Sequence, residues 1–415
     1  MAGGVNRKIS AASARAHTRK TKRSCSSPIS SGGLSPFLFL FFSTACVNFL
    51  VLIVFEYAEI RMLIIYVVSF FVAKLEGRKN RSSPSAWGYQ AIRPPAPKIC
   101  GSPDGPPITA PRIKLRDGRY LAYKEHGVPK DSAKYKIIFV HGFRSCRHDA
   151  GVANTISPDV IENLGIYIVS FDRSGYGESD PNPNRTPKST AYDIEELADQ
   201  LGLGSKFYVI GFSMGGQVVW SCLKYIPNRL AGAALLAPAI NYWWSGLPAN
   251  LTNEAFYQQS EQDQWAVRVA HYTPWLTYWW NTQRLFPSSS IIAASSRNLS
   301  HQDKELESKL VGRKECQPIF SQQGEHESIH RDANVGFGKW EFSPLDLENP
   351  FPGNEGSVHL WQGDEDKIVP VALQRHIAKQ LPWIHYHEVA GGGHRFPNAD
   401  GMSESIIKAL LLNEK

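Results

Sequence analysis

The first 55 residues contain no aspartate or glutamate, because the first acidic residue of the 415-residue chain is Glu56. Seven of the 45 basic residues precede it, so the rest of the chain carries 38 basic and 38 acidic residues. The net charge of +7 therefore belongs to the N-terminal head, and the body is neutral. The overall basic charge is therefore no evidence for nucleic-acid binding by the body, and we expect no nucleic-acid partner.

Cysteine pairs at metal-ligand spacing are also absent. The sequence has no C-x-x-C pair and no histidine at the spacing of a zinc site beside a cysteine. This excludes the common zinc motifs, and we expect neither a metal nor a cofactor. Buried free thiols are the expected state for most of the six scattered cysteines, which are Cys25, Cys46, Cys100, Cys146, Cys222 and Cys316.

A long uncharged run follows the basic head. Residues 1–35 predict a basic, disordered head, and the run 36–55 matches the roughly 20 residues that cross a bilayer as a helix. We therefore expect 36–75 to be a hydrophobic membrane anchor or targeting segment, with membrane association through 36–55. Two alternatives stay open. The segment could be a transit peptide for a plastid or another organelle, or the first residues of this sequence could differ from those of the working protein.

The charges around this segment predict its orientation. Under the positive-inside rule the basic head stays in the cytosol, so a single-pass anchor places the body in an endomembrane lumen or outside the cell. A shorter apolar run at 62–73 would return the body to the cytosol if the two runs formed a hairpin. We expect a membrane location, with the topology open.

The rest of the chain predicts an α/β fold with an insertion. Eight prolines mark 76–112 as an extended linker. Short apolar runs then alternate with helical stretches, which predicts a mostly parallel central sheet with helices on both faces, formed by 113–240 and 351–415. The stretch 241–350 carries seven tryptophans and predicts a helical lid. The apolar runs predict strands at 136–140, 165–171, 207–210, 233–236 and 358–361.

Ser213 lies between glycines where an apolar strand gives way to a helix, in the stretch YVIGFSMGGQVVW. Gly211 and Gly215 leave room for close backbone packing, so the turn presents the serine hydroxyl beyond the carboxyl end of the strand, where ligands bind in α/β sheets. The pattern predicts a nucleophile elbow. Glycine-rich turns also bind phosphate or serve packing alone, so a base and an acid are needed as further evidence.

His394 is the candidate base, because it follows the last alternating strand in a loop whose glycines carry the imidazole over the sheet edge. The candidate acids are the adjacent carboxylates after the strand at 358–361. Asp366 is favoured because Gly363 begins the turn and buried packing resumes at Ile368, while Asp364 stays open. The order serine, aspartate, histidine leaves room for the lid in the first gap.

The loop after the strand at 136–140 is the candidate oxyanion site. It reads IIFVHGFRSC, and the turn at His141 and Gly142 directs the Phe143 amide toward the same point as the Met214 amide. Two such donors would stabilise the oxyanion of an acyl-transfer reaction. His141 itself is interpreted as a structural residue that holds the loop.

Five motifs together resemble the α/β-hydrolase fold superfamily, in that family's order. They are HGF at 141, DRSGYGESD at 172, GFSMGG at 211, GDEDKIVP at 363 and GGGH at 391. The chain is most similar to plant serine hydrolases with a Pro-rich segment before the core. The resemblance implies Ser213 as nucleophile, Asp366 as acid, His394 as base, and the amides of Phe143 and Met214 as oxyanion donors. The absence of an HGGG loop disfavours one lipase branch, and serine at 213 disfavours epoxide hydrolysis.

Two functions remain as hypotheses. The first is a serine esterase, lipase-like, that cleaves carboxylic esters with an apolar acyl or alcohol moiety, and the lid tryptophans motivate the apolar part. The second is a small-molecule receptor on the same fold that retains the triad but has slow or no turnover. Multiple turnover would favour the enzyme. The oligomeric state is left open by the sequence.

Overall fold

The structure, a computed structural model, describes residues 92–284, 287–293, 295 and 298–412. All of these lie in one unit of the chain, Ser83–Lys415. The basic head and the hydrophobic segment expected at 36–75 lie outside the described residues. Within the described residues, every helix is too short or too polar to cross a bilayer.

An eight-stranded sheet forms the centre of this unit, in the order β1-β2-β4-β3-β5-β6-β7-β8. The first two strands pair antiparallel, and β2 joins β4 antiparallel. From β4 across β3 to β8 all pairs are parallel. The predicted mostly parallel sheet is therefore confirmed. The strands are β1 Arg112–Lys114, β2 Tyr120–Gly127, β3 Tyr135–Val140, β4 Ile166–Phe171, β5 Phe207–Phe212, β6 Leu230–Leu236, β7 Val358–Gly363 and β8 Ile384–Val389.

The central strands are apolar on both sides because helices cover both faces of the sheet. Along β3, Ile138 and Val140 belong to one buried cluster, whereas Ile137 and Phe139 belong to another. Successive side chains of a strand point to opposite faces, so these two clusters are the two layers of the core. The predicted helices on both faces are confirmed.

Helices alternate with the strands and then replace them between β6 and β7. That insertion holds α5 to α10, and a π-helical turn, His326–His330, leads into α10. The helices are α1 Val152–Thr155, α2 Pro158–Leu164, α3 Pro187–Gln200, α4 Met214–Tyr225, α5 Ala249–Tyr257, α6 Glu261–Tyr272, α7 Thr277–Thr282, α8 His301–Glu305, α9 Val311–Cys316, α10 Arg331–Phe337, α11 Val371–Gln380 and α12 Met402–Leu412. Short 3₁₀ turns lie at Lys130–Ser132, Pro227–Arg229, Pro274–Leu276, Leu306–Lys309, Pro344–Asp346 and Phe396–Asn398.

Two of the cysteines form a disulfide that the sequence analysis did not predict. Cys146, in the loop after β3, is bonded to Cys316 at the end of α9, 170 residues later. The expectation of free thiols was wrong for this pair, because tertiary packing rather than sequence spacing brings the two together. Cys100 and Cys222 are buried free thiols.

Part of the segment expected to be a linker contacts the body. The amide of Lys98 donates to the carbonyl of Gln323 at 2.9 Å, and the amide of Cys100 donates to the Gln323 side chain at 3.1 Å. Further along, the amide of Thr109 donates to the Glu178 carboxylate at 2.7 Å. These bonds fix 98–110 on the surface of the unit ahead of β1.

Candidate active site

Ser213 occupies the turn between β5 and α4 in a backbone conformation that side chains rarely adopt. Its φ is 56° and its ψ is −118°. The turn is held because its amide donates to the Leu236 carbonyl at 2.8 Å. A Cβ at Gly211 would lie 2.3 Å from the Gly215 carbonyl oxygen, and one at Gly215 would lie 2.1 Å from that of Val140. Both positions therefore require glycine, as the elbow pattern predicts.

A hydrogen-bonded chain runs from Ser213 through His394 to Asp366. The Ser213 hydroxyl lies 3.0 Å from Nε2 of His394, and Nδ1 of His394 lies 2.8 Å from Oδ2 of Asp366. All three side chains are buried. The Asp366 carboxylate also accepts the amides of Ile368 at 2.8 Å and Val369 at 2.9 Å. These bonds orient the carboxylate, so that His394 donates from Nδ1 and accepts from the serine at Nε2.

The turn after β7 decides which acid faces His394. The structure places Asp366 there, whereas Asp364 and Glu365 donate their backbone amides to the carbonyls of Val389 and Gly392. These two bonds hold the turn against the loop that carries His394. The local geometry thus separates Asp366 from its two acidic neighbours.

Two opposing effects set the pKa of His394. Burial is the largest single effect and lowers the pKa, but the charge and the hydrogen bond of Asp366, together with the charge of Asp303, outweigh it, so the pKa is raised above the ordinary value of 6.5. The Asp303 carboxylate adds to this rise, and Arg313 opposes it. A raised pKa makes the imidazole a stronger acceptor for the serine proton.

Phe143 and Met214 border the cavity at Ser213. The loop after β3 lies against the serine, since a Cβ at Gly142 would be 3.2 Å from the Ser213 Cβ. Met214 is the first residue of α4, so its amide is among those at a helix start that the helix itself does not use. The partial positive charge of the helix start favours an anion at this point.

His141 uses both ring nitrogens to hold this loop. Its Nε2 accepts the amide of Arg173 at 3.1 Å, so its Nδ1 carries the proton and donates to the Gly142 carbonyl at 2.8 Å. Burial, together with the Arg173 charge, places the pKa of His141 well below its ordinary value. His141 is therefore a neutral structural residue beside the serine.

Asp303, at the start of the insertion helix α8, supports the base, and the sequence analysis missed it. Its carboxylate accepts the amide of His394 at 3.2 Å and that of Arg395 at 2.7 Å. It also forms a capping box with Ser300. The Ser-x-x-Asp pattern signals a helix start, but no sequence signal connects it to a loop 91 residues away.

A buried ion pair docks the insertion onto the core. Arg173, in the turn after β4, donates to the Asp332 carboxylate of α10 at 2.7 Å, and the Tyr176 hydroxyl donates to the same carboxylate at 2.9 Å. In the same turn, Asp172 accepts the amide of Arg147 at 2.7 Å. The turn thus joins β4, the loop after β3 and the insertion.

Two chambers meet at Ser213 beneath the insertion. The apolar chamber offers about 80 Å³. The second chamber offers about 300 Å³ and is called the polar chamber here for its charged side chains, although Phe212, Leu299 and Ile368 also line it. None of the tryptophans that the structure describes lines either chamber. Trp244 and Trp280 are buried, and Trp275 is 61% exposed. The expectation that the tryptophans of the insertion contact an apolar part of the substrate was therefore wrong. The apolar lining includes Ile240, Tyr242, Val267, Phe337 and Val369, and the polar lining includes Arg144, Lys304, Glu307, Arg313, His394 and Arg395.

Over the described residues, no group of three or more His, Cys, Asp or Glu side chains is placed to hold a metal ion.

Residues 135–396 match the family model of the alpha/beta hydrolase fold. The chain belongs to this family. Among solved structures, this α/β-hydrolase is similar to a thermophilic esterase from Thermogutta terrifontis, at 20% identity and a TM-score of 0.49, covering 73% of this chain and 96% of the other. It is also similar to the enol-lactonase from Burkholderia xenovorans LB400, at 16% identity and a TM-score of 0.49, covering 73% of this chain and all of the other.

One curated relative matches a shorter stretch of the α/β-hydrolase. It is a Bacillus subtilis (strain 168) protein provisionally named 2-succinyl-6-hydroxy-2,4-cyclohexadiene-1-carboxylate synthase, 29% identical over 126 residues. The match covers 30% of this chain and 42% of that relative's length. These likenesses do not define the reaction, which has to be argued from the site.

Proposed function

We propose that the protein is a serine hydrolase that cleaves carboxylic esters with an apolar portion. The single observation that carries the proposal is the chain of two hydrogen bonds, 3.0 Å and 2.8 Å long, from Ser213 through His394 to Asp366. A nucleophile, a base within hydrogen-bond reach and a group that orients the base are what acyl transfer requires. The apolar chamber beside Ser213 now supports the apolar portion in place of the tryptophans.

The reaction proceeds in two halves. The Ser213 oxygen attacks the ester carbonyl carbon while its proton passes to Nε2 of His394, and the amides of Phe143 and Met214 stabilise the oxyanion. The bond to the alcohol oxygen breaks as His394 returns the proton to that oxygen, which leaves an acyl-enzyme. Water then gives a proton to His394 and attacks the acyl carbon. Collapse of the second oxyanion releases the acid, and the proton restores the Ser213 hydroxyl.

Steady-state hydrolysis of 4-nitrophenyl esters of increasing acyl length by the full-length protein tests this proposal. We expect multiple turnovers, a dependence of kcat/KM on chain length, and a loss on the order of 10⁴ or more in kcat for Ser213→Ala. Ser221→Ala, a buried serine on α4, is the matched control and should retain turnover. If the wild type releases no more than one equivalent of nitrophenol, or matches Ser213→Ala, the proposal is wrong.

A further inference from the structure

The two chambers differ in which catalytic group they contain. Ser213 and Phe143 border both chambers, but Met214 borders the apolar one and His394 borders the polar one. The general acid must reach the oxygen of the leaving alcohol. The alcohol portion of an ester therefore belongs in the polar chamber, and the acyl portion belongs in the apolar chamber.

The polar chamber carries more positive than negative charge. Arg144, Lys304, Arg313 and Arg395 line it, against the single carboxylate of Glu307. Glu307 is engaged by the guanidinium of Arg395. The other three cations are left without a carboxylate partner in the part of the chain that the structure describes. The leaving group would thus be released into a positive field.

Arg144 is held at this chamber at a cost to the fold. Its φ of 52° lies in the left-handed region, and its guanidinium stacks over the Phe320 ring at 4.9 Å. One nitrogen donates to the Ile292 carbonyl, while the buried Nε has no hydrogen-bond partner within the described residues. Burial and the nearby charge of Arg313 lower the pKa of Arg144. Cations that serve only solubility are not held in this way, whereas an anion in the chamber would offset the electrostatic cost of burying Arg144 near Arg313.

We propose that the substrate is an ester whose acyl portion is apolar and whose alcohol portion carries an anionic group, a carboxylate or a phosphate, that binds among Arg144, Lys304 and Arg313. This inference rests on the proposed function, because it assigns the two halves of that ester to the two chambers. It adds a charge requirement that hydrolysis alone does not impose. The products are an apolar carboxylic acid and an anionic alcohol.

The test compares three octanoyl esters that differ in the charge of the leaving group. They are the esters of 4-nitrophenol, of 5-hydroxy-2-nitrobenzoate and of a nitrophenol with a quaternary ammonium group, and each kcat/KM is divided by the rate of alkaline hydrolysis. We expect the full-length protein to prefer the anionic ester to the neutral one by about tenfold or more at low ionic strength, and the cationic ester to be the poorest. Added NaCl should reduce the preference.

Two neighbouring charge reversals on α9 locate the effect. Arg313→Glu should lower the ratio of anionic to neutral kcat/KM by about tenfold, because it places a negative charge in the chamber. Lys314→Glu makes the same change of charge at an exposed position that does not line the chamber, and should keep the ratio. A general loss of structure in Arg313→Glu would lower both rates together and leave the ratio unchanged. A wild type without preference, or an Arg313→Glu variant that keeps the preference while its kcat/KM for the neutral ester stays at the wild-type value, overturns the inference.

Binding separates this inference from the proposed function. Calorimetry on full-length Ser213→Ala measures the affinity for octyl phosphate, nonanoate and octanol in the absence of turnover. The same measurements are repeated on the double variant Ser213→Ala, Arg313→Glu. We expect one or both anions to bind more tightly than octanol, and we expect Arg313→Glu to weaken the binding of that anion by about tenfold. Comparison of the two anions shows whether the site prefers a phosphate or a carboxylate. If an anion binds more tightly than octanol and depends on Arg313, but no ester is hydrolysed, only the proposed function fails. If esters are hydrolysed but octanol binds as tightly as both anions, the anionic substrate alone fails.

Discussion

At the scale of single residues, burial and the charge of Asp366 have opposite effects on the pKa of His394. The base must be neutral to accept the serine proton, so activity is lost as pH falls through its pKa. Because the Asp366 carboxylate raises that pKa above 6.5, we expect kcat/KM for a neutral ester to rise with pH along a limb centred above pH 6.5. A pH series from 5 to 9 with 4-nitrophenyl octanoate measures it.

Asp366→Asn tests the cause of that limb. The amide keeps the size of the side chain but removes the charge, so burial prevails and the limb should move below pH 6.5. We also expect kcat to fall by roughly 10⁴, as in a triad whose base loses its orienting acid. A limb at the same pH in the variant and the wild type would contradict the role of Asp366.

The residues of the site that could be predicted are those fixed by local chain geometry. Gly211, Ser213 and Gly215 form one turn, and Asp366 lies in a four-residue turn after β7. Asp303 was not predictable, because its bond to the His394 loop spans 91 residues. The Cys146–Cys316 bond spans 170 residues and depends on where the insertion folds back. Such contacts exist only after tertiary packing.

At the scale of elements, the strands were the most predictable part. All five apolar runs became strands because both faces of the sheet are covered, so few polar residues, such as Ser170 and His359, interrupt them. The boundaries were less certain: β6 begins at Leu230, where it pairs with Phe207, although the apolar run is continuous only from Ala233. Ala231 and Gly232 lie between them and carry little hydrophobic signal. Pairing with a neighbouring strand, which the sequence does not reveal, extends the element.

The insertion helix α8 positions the base through Asp303, and Asp303→Asn tests this. The amides of His394 and Arg395 donate to different oxygens of Asp303, and asparagine replaces one of these oxygens by an NH₂ donor, so the loop of His394 should shift. We expect kcat to fall roughly 10- to 100-fold, since misplacement of about 1 Å has that effect, while KM for 4-nitrophenyl octanoate changes by less than about threefold. Steady-state kinetics measure both constants.

Asp346→Asn is the matched control. Asp346 closes the same kind of capping box with Ser343, elsewhere in the insertion. Both substitutions remove one cap, worth about 1 kcal/mol, so Tm should fall similarly in the two variants. If kcat falls equally in both, or in neither, Asp303 has no positioning role.

At the scale of the whole molecule, the disulfide bears on the compartment that the body faces. Buried disulfides persist in oxidising compartments and are reduced in the cytosol. We therefore propose that the body lies in a lumen or outside the cell, which is the orientation expected for a single-pass anchor. The hairpin alternative would place the same pair in a reducing environment.

Differential alkylation in membranes prepared without reductant tests this orientation. After denaturation, Cys100 and Cys222 should be labelled at once, whereas Cys146 and Cys316 should be labelled only after reduction. Mass spectrometry of the labelled peptides reads all four sites, and the two free thiols serve as internal controls. Labelling of all four without reduction would instead support a cytosolic body.

The contact between Asp303 and the His394 loop means that the insertion cannot be exchanged without an effect on the catalytic base. A chimera that kept this sheet but received a foreign insertion would gain a new pocket and lose the support of its own base, unless the donor supplied a carboxylate at the same place. An exchange of the insertion is thus expected to change both the substrate range and the turnover rate of this protein. Directed evolution of its specificity should therefore succeed more readily by substitutions inside the chambers than by exchange of the whole insertion.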